Sequence, residues 1–461
     1  MSSYPNIIIV DDNEIELASL RDSFFGAGIP CLPIQYHNDD PENLSGIDHV
    51  AISEDFCPRI VILDLNLTEA QKASPAMLVA PIATVLKKLP LHGPYMLGIW
   101  SKLAGEVEEV IELLEVRYKG QFIFPLQWQV ISKHDFINTN ADGMFALEQK
   151  VRELVRGNSL LNAVVSWESR VSDAARRTTN KLFYLAQELT PNGKIEECSL
   201  ELAQMLAVIG NEALGYQNAG DSPTVALDAG LAPMLSDQLN SPSQEEFDTL
   251  WSSALPKLGK RESVDSRIKS RLNTFYHVES VVADSSRDIR GVFVDLDREY
   301  IQNSPGKEKF EARIGRKLKS LIHDEFLASS GDKKERERAR ESMILGFLEI
   351  SAECDFAQRK VKLPRYILGA LIPLEFESLT DFSTGGTSKD TAHSGIYRLP
   401  LVSIDGQDYI VKFSFKYQFG MQPEDHKWLS KSRFRIREQV LNAIIFSNSQ
   451  YVSRPGVVCF L

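Results

Sequence analysis

The sequence predicts an α/β N-terminal domain built on a doubly wound five-stranded parallel sheet, then a helical middle region and a small β-rich C-terminal domain. Three observations carry this. Up to about residue 136, short runs that are apolar throughout alternate with stretches of helical period. Uninterrupted apolar runs are the pattern of strands buried on both faces. Strand–helix alternation over five units leads to a doubly wound sheet. Beyond residue 341 the pattern turns strand-like, with Gly- and Ser-containing loops between the segments. The expected domains are residues 1–136, 137–341 and 342–461.

The N-terminal strands are expected at Asn6–Val10, Arg59–Leu63, Tyr95–Trp100 and Trp128–Ile131, with a weaker candidate at Leu32–Tyr36. Helical spacing marks Glu14–Ala27, with Ile15, Leu20 and Phe24 on one face, and Ala104–Lys119, with Val107, Val110, Ile111 and Leu114. From Asp142 to Leu189, Phe145, Leu147, Val151, Leu154, Leu161, Val164, Trp167 and Val171 recur at three- and four-residue steps. This stretch suits one long helix, or two broken near Gly157-Asn158, either packed on its own domain or dimerising. Helical patterns continue at Ser199–Leu214, Gln244–Leu255 and Lys307–Ser329, and GDKKERERARE (331–341) reads as a solvated helix start or linker. In the last region Met343–Ile350, Tyr366–Pro373, Gly395–Ser403 and Tyr409–Phe415 read as strands, Asp381–Ser394 as a loop, Ser432–Ser447 as a helix and Val457–Phe460 as a final strand.

A chain of 461 residues exceeds one ordinary core. With 43% hydrophobic and 25% charged residues it has the composition of a soluble globular protein. Its net charge of −12 sets up a field that repels nucleic acid and anionic lipid, so neither is an expected partner without a local basic patch. The cysteines, Cys31, Cys57, Cys198, Cys354 and Cys459, lie far apart and suit a reducing cytoplasm. The opening MSSYPNIIIVDD lacks a signal-peptide pattern, and no apolar run approaches the roughly 20 residues of a membrane span. A cytoplasmic protein without a membrane partner is expected.

In an open α/β sheet, ligands bind beyond the C-terminal strand ends, where strand order reverses. Asp11 and Asp12 close the first strand, Asp64 the third, Ser101 follows the fourth and Lys133 the fifth. Three carboxylates, a hydroxyl and an amine thus face one edge. Clustered carboxylates raise one another's pKa unless a cation is present. Hard oxygen ligands favour Mg²⁺, held by Asp12 and Asp64 with Asp11. Asp64 is then a positioned nucleophile for a phosphoryl group. Lys133 can pair with phosphoryl oxygens and Ser101 can donate to one. The four-carbon stem of Lys133 can lie along apolar surface, so folding is not expected to need its charge.

This pattern of an acidic pair after strand 1, an Asp after strand 3, Ser after strand 4 and Lys after strand 5 resembles the response-regulator receiver domain, a flavodoxin-like fold. The resemblance covers about 30% of the chain. It implies Asp11 and Asp12 as the metal-binding pair, Asp64 as phospho-acceptor, and Asn66 as a metal ligand through its backbone carbonyl. It also implies Ser101 as switch hydroxyl, Lys133 as the phosphate-pairing lysine, and a histidine kinase as partner. The sequence departs from the family at Lys133-His134, where Lys-Pro is usual, at Lys102 in place of a small residue, at the bulky Trp100, and in an insertion around Thr68–Pro75. Some receiver proteins with unfamiliar output regions, found in bacterial anti-phage signalling systems, resemble this chain. The implied function is phosphoryl acceptance on Asp64 that switches contacts of the C-terminal module, with a homodimer as one form of output. No enzyme activity is implied beyond self-phosphorylation and dephosphorylation. The alternatives are a degenerate receiver acting as an interaction module, and a C-terminal hydrolase or nuclease under receiver control.

The C-terminal half offers fainter signals. Cys354 and Asp355 with His393 could form a nucleophile set, although a buried Cys, a turn Asp and an unrelated His explain them better. HKWLSKSRFRIRE (426–438) interleaves Lys427, Lys431, Arg433, Arg435 and Arg437 with Trp428 and Phe434, a pattern that can grip nucleic acid or start a solvated helix. His323-Asp324-Glu325 reads as helix surface. No helix-turn-helix signature is visible.

Overall fold

The computed structural model describes residues 6–26, 28–38, 46–68, 74–101, 104–133, 153, 157, 159–190, 194–240, 245–260, 263–281, 285–327, 332–357, 361–380, 395–422 and 427–453. The chain divides into two compact units, one of Met1–Ile209 with Leu227–Lys260, the other of Gly210–Ala226 with Arg261–Leu461.

The first unit opens with β1 (Ile7–Asp11), α1 (Glu14–Gly26), β2 (Leu32–Gln35), β3 (Ile60–Asp64) and α2 (Pro75–Lys88). It continues through β4 (Met96–Ser101), α3 (Val107–Arg117), β5 (Gln127–Ser132) and the 31-residue α4 (Ser159–Leu189). Then come α5 (Ile195–Leu214), α7 (Pro223–Leu239) and α8 (Glu245–Ala254), while α6 (Tyr216–Asp221), between α5 and α7 in the chain, belongs to the second unit. The five strands pair in parallel in the order β2-β1-β3-β4-β5. That is the flavodoxin-like order, with its switch point between β1 and β3. Alternating residues feed two cores. Ile8, Val10, Val61 and Leu63 pack with Leu78 and Ile82 of α2 and Val110 and Leu114 of α3. Ile7, Ile9, Ile60 and Ile62 pack with Leu17, Leu20 and Phe24 of α1 and with Leu161 and Val165 of α4. Such two-sided burial is why these strands read as unbroken apolar runs.

All five expected strands of this sheet are present. Ile15, placed on the buried face of α1 by its spacing, is exposed, and Leu17 takes that place. Helix α2 was not legible because its prolines, Pro75 and Pro81, read as breakers. Pro75 occupies the first turn, where a missing N–H costs nothing. Residues 142–152 and the expected break at Asn158 lie outside the described residues.

The second unit comprises α9 (Ser266–His277), β6 (Val278–Ser280), β7 (Val292–Leu296), α10 (Arg298–Gln302), α11 (Ser304–Ile314), α12 (Leu318–Glu325) and α13 (Lys333–Ser342). These precede β8 (Ile344–Glu349), α14 (Glu353–Ala357), β9 (Arg365–Pro373), β10 (Ile396–Arg398), β11 (Val402–Ile404), β12 (Gln407–Gly420), β13 (Leu429–Ile436) and α15 (Glu438–Ser453). Eight strands form one antiparallel sheet in the order β10-β12-β9-β8-β7-β13-β6, with β11 on β12. One face packs on α10–α12 through Val294, Phe347, Leu368 and Phe310. The other packs on α15 through Phe293, Phe413, Leu441 and Ile444.

This sheet is larger than the sequence suggests. It takes β6 and β7 from the stretch read as helical. It also takes β13 from the basic segment read as a helix start. In β13 Ser432, Phe434 and Ile436 are buried at alternate positions while the arginines between them point away, a period of two masked by charge. The expected strand at Val457–Phe460 lies outside the described residues. Among those described, no helix is long and apolar enough to cross a membrane.

Candidate functional site

β1 ends at Asp11, the fifth consecutive buried residue of its strand, and the chain then turns through Asp12 and Asn13 into α1. Asn13 caps that helix, its Oδ1 accepting from the backbone N–H groups of Ile15 at 3.0 Å and Glu16 at 3.1 Å. Asp11 Oδ1 accepts from the Asn13 N–H at 2.8 Å, which leaves Oδ2 directed elsewhere. β3 ends at Asp64, level with Trp100 of β4, and the strand pairing extends one bond further as the Leu65 N–H donates to the Trp100 carbonyl. Ser101 closes β4, buried and level with Ser132 of β5. Lys133 follows at once and is 4% exposed. Asn66 stands half-buried in the turn after β3.

The geometry brings the acidic residues and the lysine together. One oxygen from each of Asp11, Asp12 and Asp64 lies within 4.8 Å of the others. Lys133 Nζ donates to Asp11 Oδ2 at 3.0 Å and Glu16 Oε2 at 2.6 Å, and stands 2.8 Å from Asp64 Oδ1. Three carboxylates therefore occupy the three N–H donors of one ammonium. The ammonium also lies 5.8 Å from the centre of the Trp100 ring. Sequence reasoning missed Glu16, which sits in the first turn of α1, behind the Asn13 cap, where only the fold aims it back at the strand ends. It missed the use of Trp100 as well.

The electrostatics follow from crowding. Burial, then the Asp64 and Asp11 charges, push the Asp12 carboxyl up to about 7. Burial and Asp64 raise Asp11 too, with Lys133 partly opposing them. Burial alone would lower the Lys133 ammonium, but Asp64 and Asp11 outweigh it and hold it above the ordinary lysine value. Asp12 Oδ2 is buried without a hydrogen-bond partner among the described residues. A buried, unsatisfied carboxylate oxygen among other carboxylates is what a hard divalent cation would satisfy, so the donor set fits Mg²⁺.

Among the described residues, the other sequence candidates form no comparable cluster. Asp355 sits on α14, while the Cys354 side chain and His393 lie outside the described residues. The arginines of the basic segment are engaged internally. Arg433 grips Asp295 at 2.6 to 3.0 Å and reaches Asp405 at 3.1 Å. Arg435 pairs with Glu279 at 2.9 Å, and Arg437 donates to the Phe275 carbonyl. Glu325, read from the sequence as surface, is buried in α12. It accepts from Ser414 Oγ at 2.8 Å and from Lys416 Nζ at 3.1 Å.

With this strand order and an acidic centre at its switch point, the N-terminal sheet has a flavodoxin-like architecture. No protein-family model matches the chain, and no curated protein matches it. Among solved structures, one of the Salmonella typhimurium response regulator RcsB, described for its conformational dynamism in DNA interaction, is 14% identical. The match covers 57% of this chain and 95% of that one, with a TM-score of 0.21. A likeness that faint carries no argument, and the flavodoxin-like fold stands on the sheet order alone.

Proposed function

We propose that the chain is a receiver-type signalling protein that accepts a phosphoryl group on Asp64 from a histidine-kinase partner. The observation that carries this reading is the convergence of Asp11, Asp12 and Asp64 at the β1/β3 switch point, with the Lys133 ammonium 2.8 Å from Asp64. A bound Mg²⁺ would supply charge neutralisation between the carboxylates and the incoming phosphoryl oxygens. Asp11, Asp12 and Asp64 would hold it, with the Asn66 carbonyl.

The chain's own residues supply the rest. An Asp64 oxygen attacks phosphorus, an acyl-phosphate P–O bond forms, and the P–N bond to the donor imidazole breaks with its electron pair returning to nitrogen. Lys133 exchanges a carboxylate acceptor for a phosphoryl oxygen, a stronger charge-assisted contact. Ser101, closing the neighbouring strand, donates to another oxygen. The second unit, whose Cys354, Asp355 and His393 are better explained separately than as one nucleophile set, serves as output or docking surface. Homodimerisation is one form of that output, and Phe183, Tyr184 and Leu189, exposed on the distal half of α4, are available to it.

Incubation with acetyl phosphate and Mg²⁺, followed by intact mass, tests the reading. Wild type should gain one phosphoryl group and Asp64→Asn none. An equal gain in both would remove Asp64 as the acceptor.

A further inference from the structure

The antiparallel unit contains a cavity of about 690 Å³ whose wall no part of the receiver reading uses. Its cations are Arg298 on α10, Lys307 on α11, Lys319 on α12, Arg340 on α13 and Arg433 on β13. Five separate elements thus bring cationic side chains to one hollow, four of them besides Arg433, which is matched by Asp295, in a chain whose net charge is −12. Against them stand Asp295 and Glu341. Asp295 is already neutralised by its bidentate contact with Arg433. Arg298 is held over the opening of β8 by the Met343 carbonyl at 3.1 Å. Lys319 reaches Glu337 only at 3.9 Å. The side chains of Lys307 and Arg340 have no hydrogen-bond or ion-pair partner among the described residues. The floor, by contrast, is apolar: Leu296, Ile322 and Leu345 are buried in the helix-side core and border the hollow.

A concave site with low-dielectric walls and a surplus of one sign focuses its field on a ligand of opposite charge. Its volume lies within the range of small-molecule pockets. A bare anion would leave the apolar floor unused, and a neutral ring would leave Lys307 and Arg340 unused. We propose that this cavity binds a nucleoside phosphate, with the phosphates on Lys307, Arg340 and Lys319 and the base against the apolar floor. The site is independent of the acidic centre and of its phosphorylation.

Titration of the full chain with ATP, adenosine and pyrophosphate, in EDTA so that the acidic centre takes no part, tests this by calorimetry. ATP should saturate one site, with adenosine and pyrophosphate each at least about tenfold weaker, since each supplies half of the recognition. Lys307→Glu and Arg340→Glu should each weaken ATP by about tenfold, as loss and reversal of a close charge do. If either variant fails to melt cooperatively, Lys307→Gln and Arg340→Gln replace them. The salt dependence of wild type gives a second measure, because affinity for a polyanion must fall as ionic strength rises. Non-saturable ATP binding, affinity unchanged in both variants or by salt, adenosine as tight as ATP, or a short single-stranded oligonucleotide bound more tightly than ATP would each overturn the proposal.

Discussion

Lys133 Nζ lies closer to Glu16 Oε2, at 2.6 Å, than to either of the two strand-end aspartates it also meets. Glu16 belongs to α1 and is not one of the three carboxylates grouped at the switch point. It therefore competes with an arriving phosphoryl group for the same ammonium. We expect Glu16→Gln, which keeps the shape and removes the charge, to load Asp64 faster by about fivefold, roughly 1 kcal/mol of released competition. The rate of mass gain with acetyl phosphate measures it, and an unchanged or slower rate would remove Glu16 from this role.

Asp12→Ala should stabilise the Mg²⁺-free protein and weaken its response to Mg²⁺. The substitution removes a buried unsatisfied oxygen and one of three mutually repelling charges. Thermal melts at pH 8 with EDTA and with Mg²⁺ read both effects. A variant less stable than wild type in EDTA speaks against the repulsion.

The same carboxyl gives a pH dependence of definite sign. The folded chain keeps the Asp12 proton up to about 7, whereas the unfolded chain releases it near 3.8, the ordinary aspartate value. Between those values the folded state binds more protons, so Mg²⁺-free stability attributable to Asp12 falls as pH rises through that window. Urea melts in EDTA across it should show a component that Asp12→Asn lacks. A difference between the two proteins that is flat or rising with pH would contradict the assignment.

Lys133→Met should be costly. The lysine is buried and faces Asp11, Glu16 and Asp64, and removing one member of a buried charge set leaves the others uncompensated, at about 3–5 kcal/mol. Mg²⁺ should restore part of that loss by replacing the missing positive charge. Chemical denaturation with and without the ion checks both parts, and near-normal stability in EDTA would mean that the ammonium contributes little to the fold.

That last expectation marks where the sequence stops being legible. The position of Lys133 after a buried strand is readable from order along the chain, but its three partners come from β1, α1 and β3. Only the fold reveals that its charge is enclosed rather than lying along an apolar surface toward solvent. The central strands β1, β3 and β4 were readable because burial on both faces leaves them almost wholly apolar, whereas the edge strands β2 and β5 are half-buried and gave weaker signals. The antiparallel sheet was readable only where side chains alternate cleanly. In β13 the arginines are present because Asp295 and Glu279 on neighbouring strands neutralise them, and that pairing has no signature in local sequence. Asp11, Asp12 and Asp64 could be grouped from strand ends alone. Glu16 could not, because nothing in its helical spacing separates it from an ordinary solvated glutamate.

Helix α4 is rooted in the core that holds Trp100, through Leu161 and Val165, and is pinned by Arg59, whose Nε lies 3.0 Å from Glu168 Oε2. Its 31 residues run about 46 Å at 1.5 Å per residue; these two anchors fall within its first third, and Arg170 and Arg177 tie its middle to the Leu239 and Gln238 carbonyls at the end of α7. Geometry then gives it mechanical advantage: a tilt of about 5° at the root carries the far end through about 4 Å on a rod of that length. Trp100 is the ring under the Lys133 ammonium and the register neighbour of Asp64. A sub-ångström adjustment at the acidic centre therefore has a long pointer attached to it.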